Sequence, residues 1–164
     1  IEQALLSGAP YEDALSNAVS LSGVAAPEGL SATSNTGAPT AESLTRSFPA
    51  AAQDGYAAAL TAKAGDGFGS RFLARIEGRL GGRPSAETPG PEVGAVLSRI
   101  EARLKEGRLD AAREEAKGLP APAASAMTDW LSALARADDA AKGLAEMRAA
   151  DAAAGAAADA AKEE

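Results

Sequence analysis

Apolar residues recur along most of this chain at the three- and four-residue spacing of an amphipathic α-helix. Glycine and proline mark the interruptions, so helices are predicted over residues 1–6, 11–21, 28–33, 41–64, 92–106, 109–117 and 122–150. Pro49 is expected to kink or split the fourth of these, because a proline inside a helix costs about 3 kcal/mol. Branched and polar residues never alternate over a useful length, as they would in a strand. The pattern therefore predicts an all-α fold, a small bundle of helical hairpins.

The most distinctive stretch is Gly67–Pro84, where arginines border an apolar stripe. The apolar residues fall within an arc of about 140° when residues are placed 100° apart on a helix. Arginine stands at every fourth position, from Arg71 to Arg83. Arg71 and Arg75 lie just outside one edge of the apolar arc, and Arg79 and Arg83 fall within it. Such a helix can lie on an anionic membrane with its guanidinium groups reaching the lipid phosphates. The candidate lipid- or partner-binding residues are Phe68, Arg71, Phe72, Leu73, Arg75, Ile76, Arg79 and Leu80.

The same stripe has a second interpretation, because an amphipathic helix more often faces the core of its own domain. The arginine spacing and the flanking glycines weigh against a core face, so both interpretations stay open. Gly65-Asp66-Gly67 precedes the stripe, and a Gly/Pro-rich linker at 81–91 follows it. We expect one helical domain over 1–148, in two parts separated by this linker. The alanine- and acid-rich tail at 149–164 is expected to be frayed or disordered.

Charge limits the classes of partner. The chain has 164 residues, 16 basic and 23 acidic, for a net charge of −7. Residues 65–84 carry four arginines against Asp66 and Glu77, or +2, which leaves −9 on the remainder. A nucleic-acid-binding protein needs a broad basic surface, so nucleic acid is not an expected partner. A local contact with anionic lipid remains compatible, at roughly 1 kcal/mol per arginine near the surface.

Composition also argues against an enzyme. Cysteine and histidine are both absent, which removes disulfides, zinc-type sites and imidazole acid–base catalysis. Neither a cofactor nor a metal is expected. The acidic pairs Asp138-Asp139 and Glu114-Glu115 are interpreted as solvated faces, and Trp130 as a core residue beside Leu131 and Leu134.

The region 104–120 resembles half of a tetratricopeptide hairpin. Small residues would let two helices meet closely, and Gly107 would make the turn; the pattern comprises Leu104, Gly107, Leu109, Ala112, Ala116, Leu119 and Pro120. A single copy is not an array, because about three repeats are needed to bury their faces. This feature supports an alternative function: a helical protein–protein adaptor that uses the apolar stripe as a dimer or partner groove.

A broader resemblance covers about residues 1–148. Its pieces, in order, are Ala4-Leu5-Leu6-Ser7-Gly8-Ala9-Pro10-Tyr11, Gly37-Ala38-Pro39-Thr40, Arg71-Phe72-Leu73-Ala74-Arg75-Ile76, Val96-Leu97-Ser98-Arg99-Ile100-Glu101, Leu104-Lys105-Glu106-Gly107-Arg108-Leu109-Asp110-Ala111-Ala112, Leu119-Pro120 and Trp130-Leu131. That order is similar to the C-terminal domain of alphaproteobacterial mitofilin. One departure is Leu80-Gly81-Gly82-Arg83-Pro84, which stands where the family commonly has a valine–arginine run.

The resemblance implies a domain that faces the periplasm and belongs to a protein anchored in the bacterial inner membrane by an upstream helix. It further implies lipid binding through the amphipathic helix, membrane shaping, self-association into a homo-oligomer, and contact with outer-membrane β-barrel assembly proteins. No run of apolar residues in the chain is long enough to span a membrane. Because the chain begins Ile1-Glu2-Gln3 without methionine, we expect it to be the C-terminal part of a longer protein.

Overall fold

The structure of this chain, a computed structural model, describes residues 1–64 and 90–160. Those residues form helices joined by turns and include no strand, which confirms the predicted all-α class. The helices are α1 (Glu2–Ser7), α2 (Glu12–Ser22), α3 (Glu28–Ser31), α4 (Ala41–Ala64), α5 (Val93–Lys105), α6 (Leu109–Ala116), α7 (Ala121–Ala126) and α8 (Thr128–Ala160). Their bounds follow the predicted ones closely at most glycine and proline positions.

Helix α4 passes through Pro49 without dividing. Of the two predicted outcomes, a kink or a split, the split was wrong, and residues on both sides of the proline, such as Phe48 and Ala52, are buried. Phe48 is 1% exposed, and its ring lies 5.0 Å from that of Trp130. The Trp130 indole nitrogen donates to the Leu44 carbonyl oxygen at 3.2 Å, in the turn that precedes the proline. A proline disturbs the main-chain bonding of the preceding turn, and this side-chain bond ties that turn to Trp130.

The single long helix predicted over 122–150 is instead two helices that meet at Met127. This residue leaves the helical conformation at φ −101° and ψ 11°, and its side chain is buried. A Cβ atom on Gly55 of α4 would lie only 2.6 Å from the Met127 sulfur, so the methionine fills the space that this glycine leaves open. Beyond the break, α8 continues past Ala150 to Ala160, and residues 151–157 are exposed along it.

The beginning and the end of the chain form one compact unit, Ile1–Thr40 with Ala135–Glu164. Its buried core consists of Tyr11, Leu15, Leu30, Ala38, Ala140 and Met147. The Tyr11 hydroxyl donates to the Leu30 carbonyl oxygen at 2.8 Å and is hydrogen-bonded with the Thr33 hydroxyl. The polar end of this buried ring is therefore satisfied, as burial requires.

Two glycines set the approach of α3 to α8 within this unit. A Cβ atom on Gly29 would lie 2.6 Å from the carbonyl carbon of Asp139. On Gly143 it would lie 3.1 Å from Leu30. The two helices therefore meet at Gly29 and Gly143, where the absence of a side chain lets their main chains come into contact.

Residues Ala41–Leu134 form the second unit. Helix α4 packs against α5 and α7, and α5 packs against α6. The α5–α6 turn ends at Gly107, whose φ of 72° is a left-handed conformation that glycine adopts without strain. The larger buried side chains are Leu44, Phe48, Val96, Leu97, Ile100, Leu104, Leu119, Met127, Trp130 and Leu134. The predicted burial of Trp130 and Leu134 is confirmed.

Candidate functional site

The predicted contact residues, Phe68 to Leu80, lie in the stretch 65–89, outside the described residues. Most of the predicted linker at 81–91 lies there as well. What the structure does describe is the protein on either side of that stretch. Helix α4 ends at Ala64 and α5 begins at Val93. Both belong to the second unit, where they pack against each other.

The α4–α5 contact is close near the start of α5. A Cβ atom on Gly94 would meet the Tyr56 ring at 3.6 Å, an ordinary van der Waals distance. Tyr56 lies eight residues before Ala64, about 12 Å along a helix. The described residues on either side of 65–89 therefore belong to two helices that contact each other.

Arg99 of α5 bridges Gly90 and α6 through its side chain. The Arg99 Nε donates to the Glu115 carboxylate at 2.7 Å, which links α5 to α6. The same guanidinium donates through Nη1 to the Gly90 carbonyl oxygen at 3.0 Å. Both side chains of this ion pair are largely shielded, with 21% and 25% of their surface exposed. Gly90 itself has a φ of 123°, a conformation that other residues rarely adopt.

Two of the acidic residues interpreted as solvated are not. Asp138 is 2% exposed, and Lys142 donates to its carboxylate at 2.6 Å. Glu115 is the partner of Arg99 described above. The expectation was wrong for these two because a charge on a helix can turn inward when a cation lies within reach to pair with it. Lys142 stands four residues after Asp138, and this spacing was the sequence signal that could have indicated the pair.

An open groove of about 540 Å³ lies in the first unit among α1, α2 and the second half of α8. Ala18, Leu144 and Met147 contribute apolar surface to it. Leu21 lies at its edge with 89% of its surface exposed, which is unusual for a leucine. This groove was not predicted from the sequence, because its walls come from opposite ends of the chain.

An ion pair between Glu2 and Arg148 borders the groove. The hydrogen bond from the Arg148 guanidinium, together with its charge, holds the pKa of the Glu2 carboxyl below its ordinary value of 4.5. Both side chains are more than half exposed, so water and salt screen the attraction. The pair therefore marks the edge of the groove and adds little to stability.

A second depression, of about 490 Å³, lies between α3 and α8 in the same unit. Charged residues of both signs surround it, namely Glu28, Arg136, Asp139, Lys142 and Glu146. Because acidic and basic side chains are mixed around it, the depression does not favour a ligand of either charge. Its lining therefore indicates no particular class of ligand.

Across residues 1–64 and 90–160, every helix is too short or too polar to cross a bilayer. Within the same ranges, acidic residues never gather in the groups of three or more that a metal ion would need. No known protein family, characterised protein or solved structure matches the chain.

Proposed function

We propose that this chain is the C-terminal domain of a mitofilin-like protein of the bacterial inner membrane, and that it organises membranes by contacting anionic lipid. The domain would face the periplasm and act without enzymatic activity, cofactor or nucleic acid. The observation that carries the proposal is the apolar stripe of 67–84 with its arginines; residues 65–84 together carry a charge of +2, against −9 on the rest of the chain. The order of the mitofilin-like sequence pieces supports it. So does the all-α fold of the described residues.

Two sets of residues would make the proposed contact, one apolar and one basic. Phe68, Phe72, Leu73 and Ile76 enter the boundary between headgroups and acyl chains as an apolar wedge. Arg71, Arg75 and Arg79 contact lipid phosphates, at roughly 1 kcal/mol each. Because residues 65–84 carry a charge of only +2, a single copy of the domain would bind weakly and reversibly. Self-association of the domain would multiply the contact, because a second linked site binds at high effective concentration.

The position of the stripe in the chain is compatible with this role. The stripe falls between α4 and α5 in the sequence, and these two helices pack on each other in the second unit. The periplasmic partners would include outer-membrane β-barrel assembly proteins, as the family resemblance suggests.

Co-sedimentation with vesicles tests the proposal. The wild-type chain is expected to sediment with vesicles that contain phosphatidylglycerol, less with pure phosphatidylcholine, and less again as salt is raised, because salt screens exposed charges. The double variant Phe72→Asp with Arg75→Glu should lose this binding.

The matched control also replaces one apolar residue with aspartate and one arginine with glutamate, at positions outside the stripe. Leu21→Asp with Arg46→Glu alters an exposed leucine and an exposed arginine of the described helices. Its net charge changes by the same amount, so equal loss in both double variants would mean that overall charge drives the binding. Wild-type-like binding by the Phe72/Arg75 variant would refute the proposed contact.

A helical adaptor is the second candidate, and the α5–α6 hairpin favours it. This hairpin turns at Gly107 and buries Ala112 completely, as the tetratricopeptide-like pattern requires. An adaptor would use the 67–84 stripe as a dimer or partner groove. Sedimentation velocity would then show a dimer that Phe72→Asp dissociates, with no dependence on anionic lipid.

A further inference from the structure

The groove of the first unit is lined by apolar side chains from two helices. Ala14, Ala18 and Leu21 of α2 recur at the spacing of successive helical turns and line it together. Helix α8 contributes Leu144 and Met147. The volume of about 540 Å³ lies within the range of about 300 to 1,000 Å³ that is usual for ligand-binding clefts. The groove is therefore large enough to receive side chains of a partner.

Leu21 is exposed at the edge of this groove. It is 89% exposed, whereas Leu15 of the same helix is 6% exposed in the core of the unit. A single exposed leucine is ordinary on a protein surface, but this one borders a concave apolar surface. A partner side chain placed in the groove would remove apolar surface of Leu21 from water, which favours association.

The charge of the first unit distinguishes among the possible occupants. Residues 1–40 contain four acidic residues and no lysine or arginine, and residues 135–164 contain seven acidic and four basic residues. The unit therefore has a net charge of −7, equal to that of the whole chain. Among the described residues that line the groove, Arg148 is the only basic one, and it is paired with Glu2. A second copy or an anionic lipid surface would be repelled by this charge, whereas a basic partner would be attracted.

We propose that the groove binds a basic amphipathic helix of another protein. The apolar face of that helix packs on Ala18, Leu21 and Leu144. Its basic side chains approach Glu2 and Asp151 at the border of the groove. Helices bound in grooves use apolar side chains at positions i, i+3, i+4 and i+7, which span about 10 Å. The α8 wall from Leu144 to Asp151 has the same length, because these residues are also seven positions apart on one helix.

Fluorescence anisotropy with a synthetic peptide tests the proposal. The probe is a fluorescein-labelled peptide of about 15 residues, with leucines on one helical face and lysines on the other. The wild-type chain should bind it more tightly than a shuffled peptide of the same composition, which has equal charge but lacks an apolar face. Equal binding of the two peptides would mean that charge alone drives the interaction, and it would overturn the inference.

Two exposed leucines provide a matched pair of variants. Leu21→Ala should weaken binding of the peptide roughly tenfold, because it removes apolar surface at the groove. Leu6→Ala is the control, since Leu6 is 83% exposed on α1 and is not among the described residues that line the groove. Alanine favours a helix at both positions, so the far-ultraviolet circular dichroism of both variants should match wild type. Equal affinity of the two variants would contradict the proposed site.

A second matched pair tests the acidic border. Asp151→Asn should weaken binding about two- to threefold at low salt and less at high salt, because Asp151 is exposed and its charge is screened. Asp13→Asn removes the same charge from an exposed position of α2 that is not among the described residues of the groove, and it should have a smaller effect. Equal losses would indicate attraction to the unit as a whole and would overturn the groove as the binding site.

The other two occupants would give different results. A second copy would appear in sedimentation velocity as a dimer that Leu21→Ala dissociates. A lipid surface would appear as binding to phosphatidylglycerol vesicles that Leu21→Ala abolishes. Either result would replace the basic helix as the occupant and overturn the inference. The peptide assay contains no lipid, so failure of the proposed function would leave this inference standing, and failure of this inference would leave the proposed function standing.

Discussion

Replacing Gly29 with alanine tests the closest main-chain approach in the first unit. The new Cβ would lie 2.6 Å from the Asp139 carbonyl carbon, whereas ordinary contact begins at 3.4 Å. Helix α3 would have to withdraw from α8 by at least about 0.8 Å, because the atoms it meets belong to the main chain of a close-packed helix.

Two opposing effects decide how much stability Gly29→Ala loses. Alanine in a helix is favoured over glycine by up to about 1 kcal/mol. Overpacking costs about 1 to 3 kcal/mol. The upper end applies here because moving α3 also loosens Leu30, which is fully buried. We therefore expect Gly29→Ala to lower the free energy of unfolding by about 2 kcal/mol, and Tm by about 4 to 8 °C for a chain of this size.

Urea denaturation followed by far-ultraviolet circular dichroism measures this loss. Gly94→Ala is the matched control, because its Cβ would meet only the Tyr56 ring at 3.6 Å. The control should be neutral or more stable than wild type by up to about 1 kcal/mol. Equal stability of the two variants would refute the close approach of α3 and α8 and the reasoning built on it.

Three further predictions concern single side chains. Tyr11→Phe removes the donor to the buried Leu30 carbonyl, so urea denaturation should show a loss of about 1 to 3 kcal/mol. Trp130→Phe loses both its hydrogen bond to α4 and ring volume, with a similar cost of about 1 to 3 kcal/mol in the same assay. The lowered pKa of Glu2 means that its pairing with Arg148 stabilises the fold above pH 4.5 and is lost as pH falls through the lowered value. In an NMR titration, Arg148→Ala or high salt should return this pKa toward 4.5; an unmoved pKa would show that Arg148 is not the cause.

Local sequence signals accounted for most helix ends. Gly8, Gly23 and Gly107 end or follow helices in left-handed conformations, where glycine alone avoids a steric cost. The apolar spacing of α5 identified the side that became buried, because a helix repeats its faces every three to four residues. These features depend on neighbours within a turn or two, and the sequence shows such neighbours directly.

Features that depend on distant residues were missed or misjudged. Met127 breaks a stretch that reads as one helix, because the space opposite Gly55 accepts its side chain. Asp138 turned out to be buried beside Lys142, although charge alone indicated solvent. Arg99 of α5 bonds to Gly90, which precedes α5, and to Glu115, which lies in α6. No local sequence pattern indicates that these residues meet.

By itself, the sequence determined that this protein is helical, where its helices end, and which stretch carries an apolar stripe bordered by arginines. Helix formation and amphipathic spacing are local properties, so the order of residues is enough to establish them. Only the tertiary structure decided that the two ends of the chain share a unit, and that α3 and α8 meet at glycines. Packing pairs residues that are far apart in the chain, and its outcome depends on shape and burial at every contact at once.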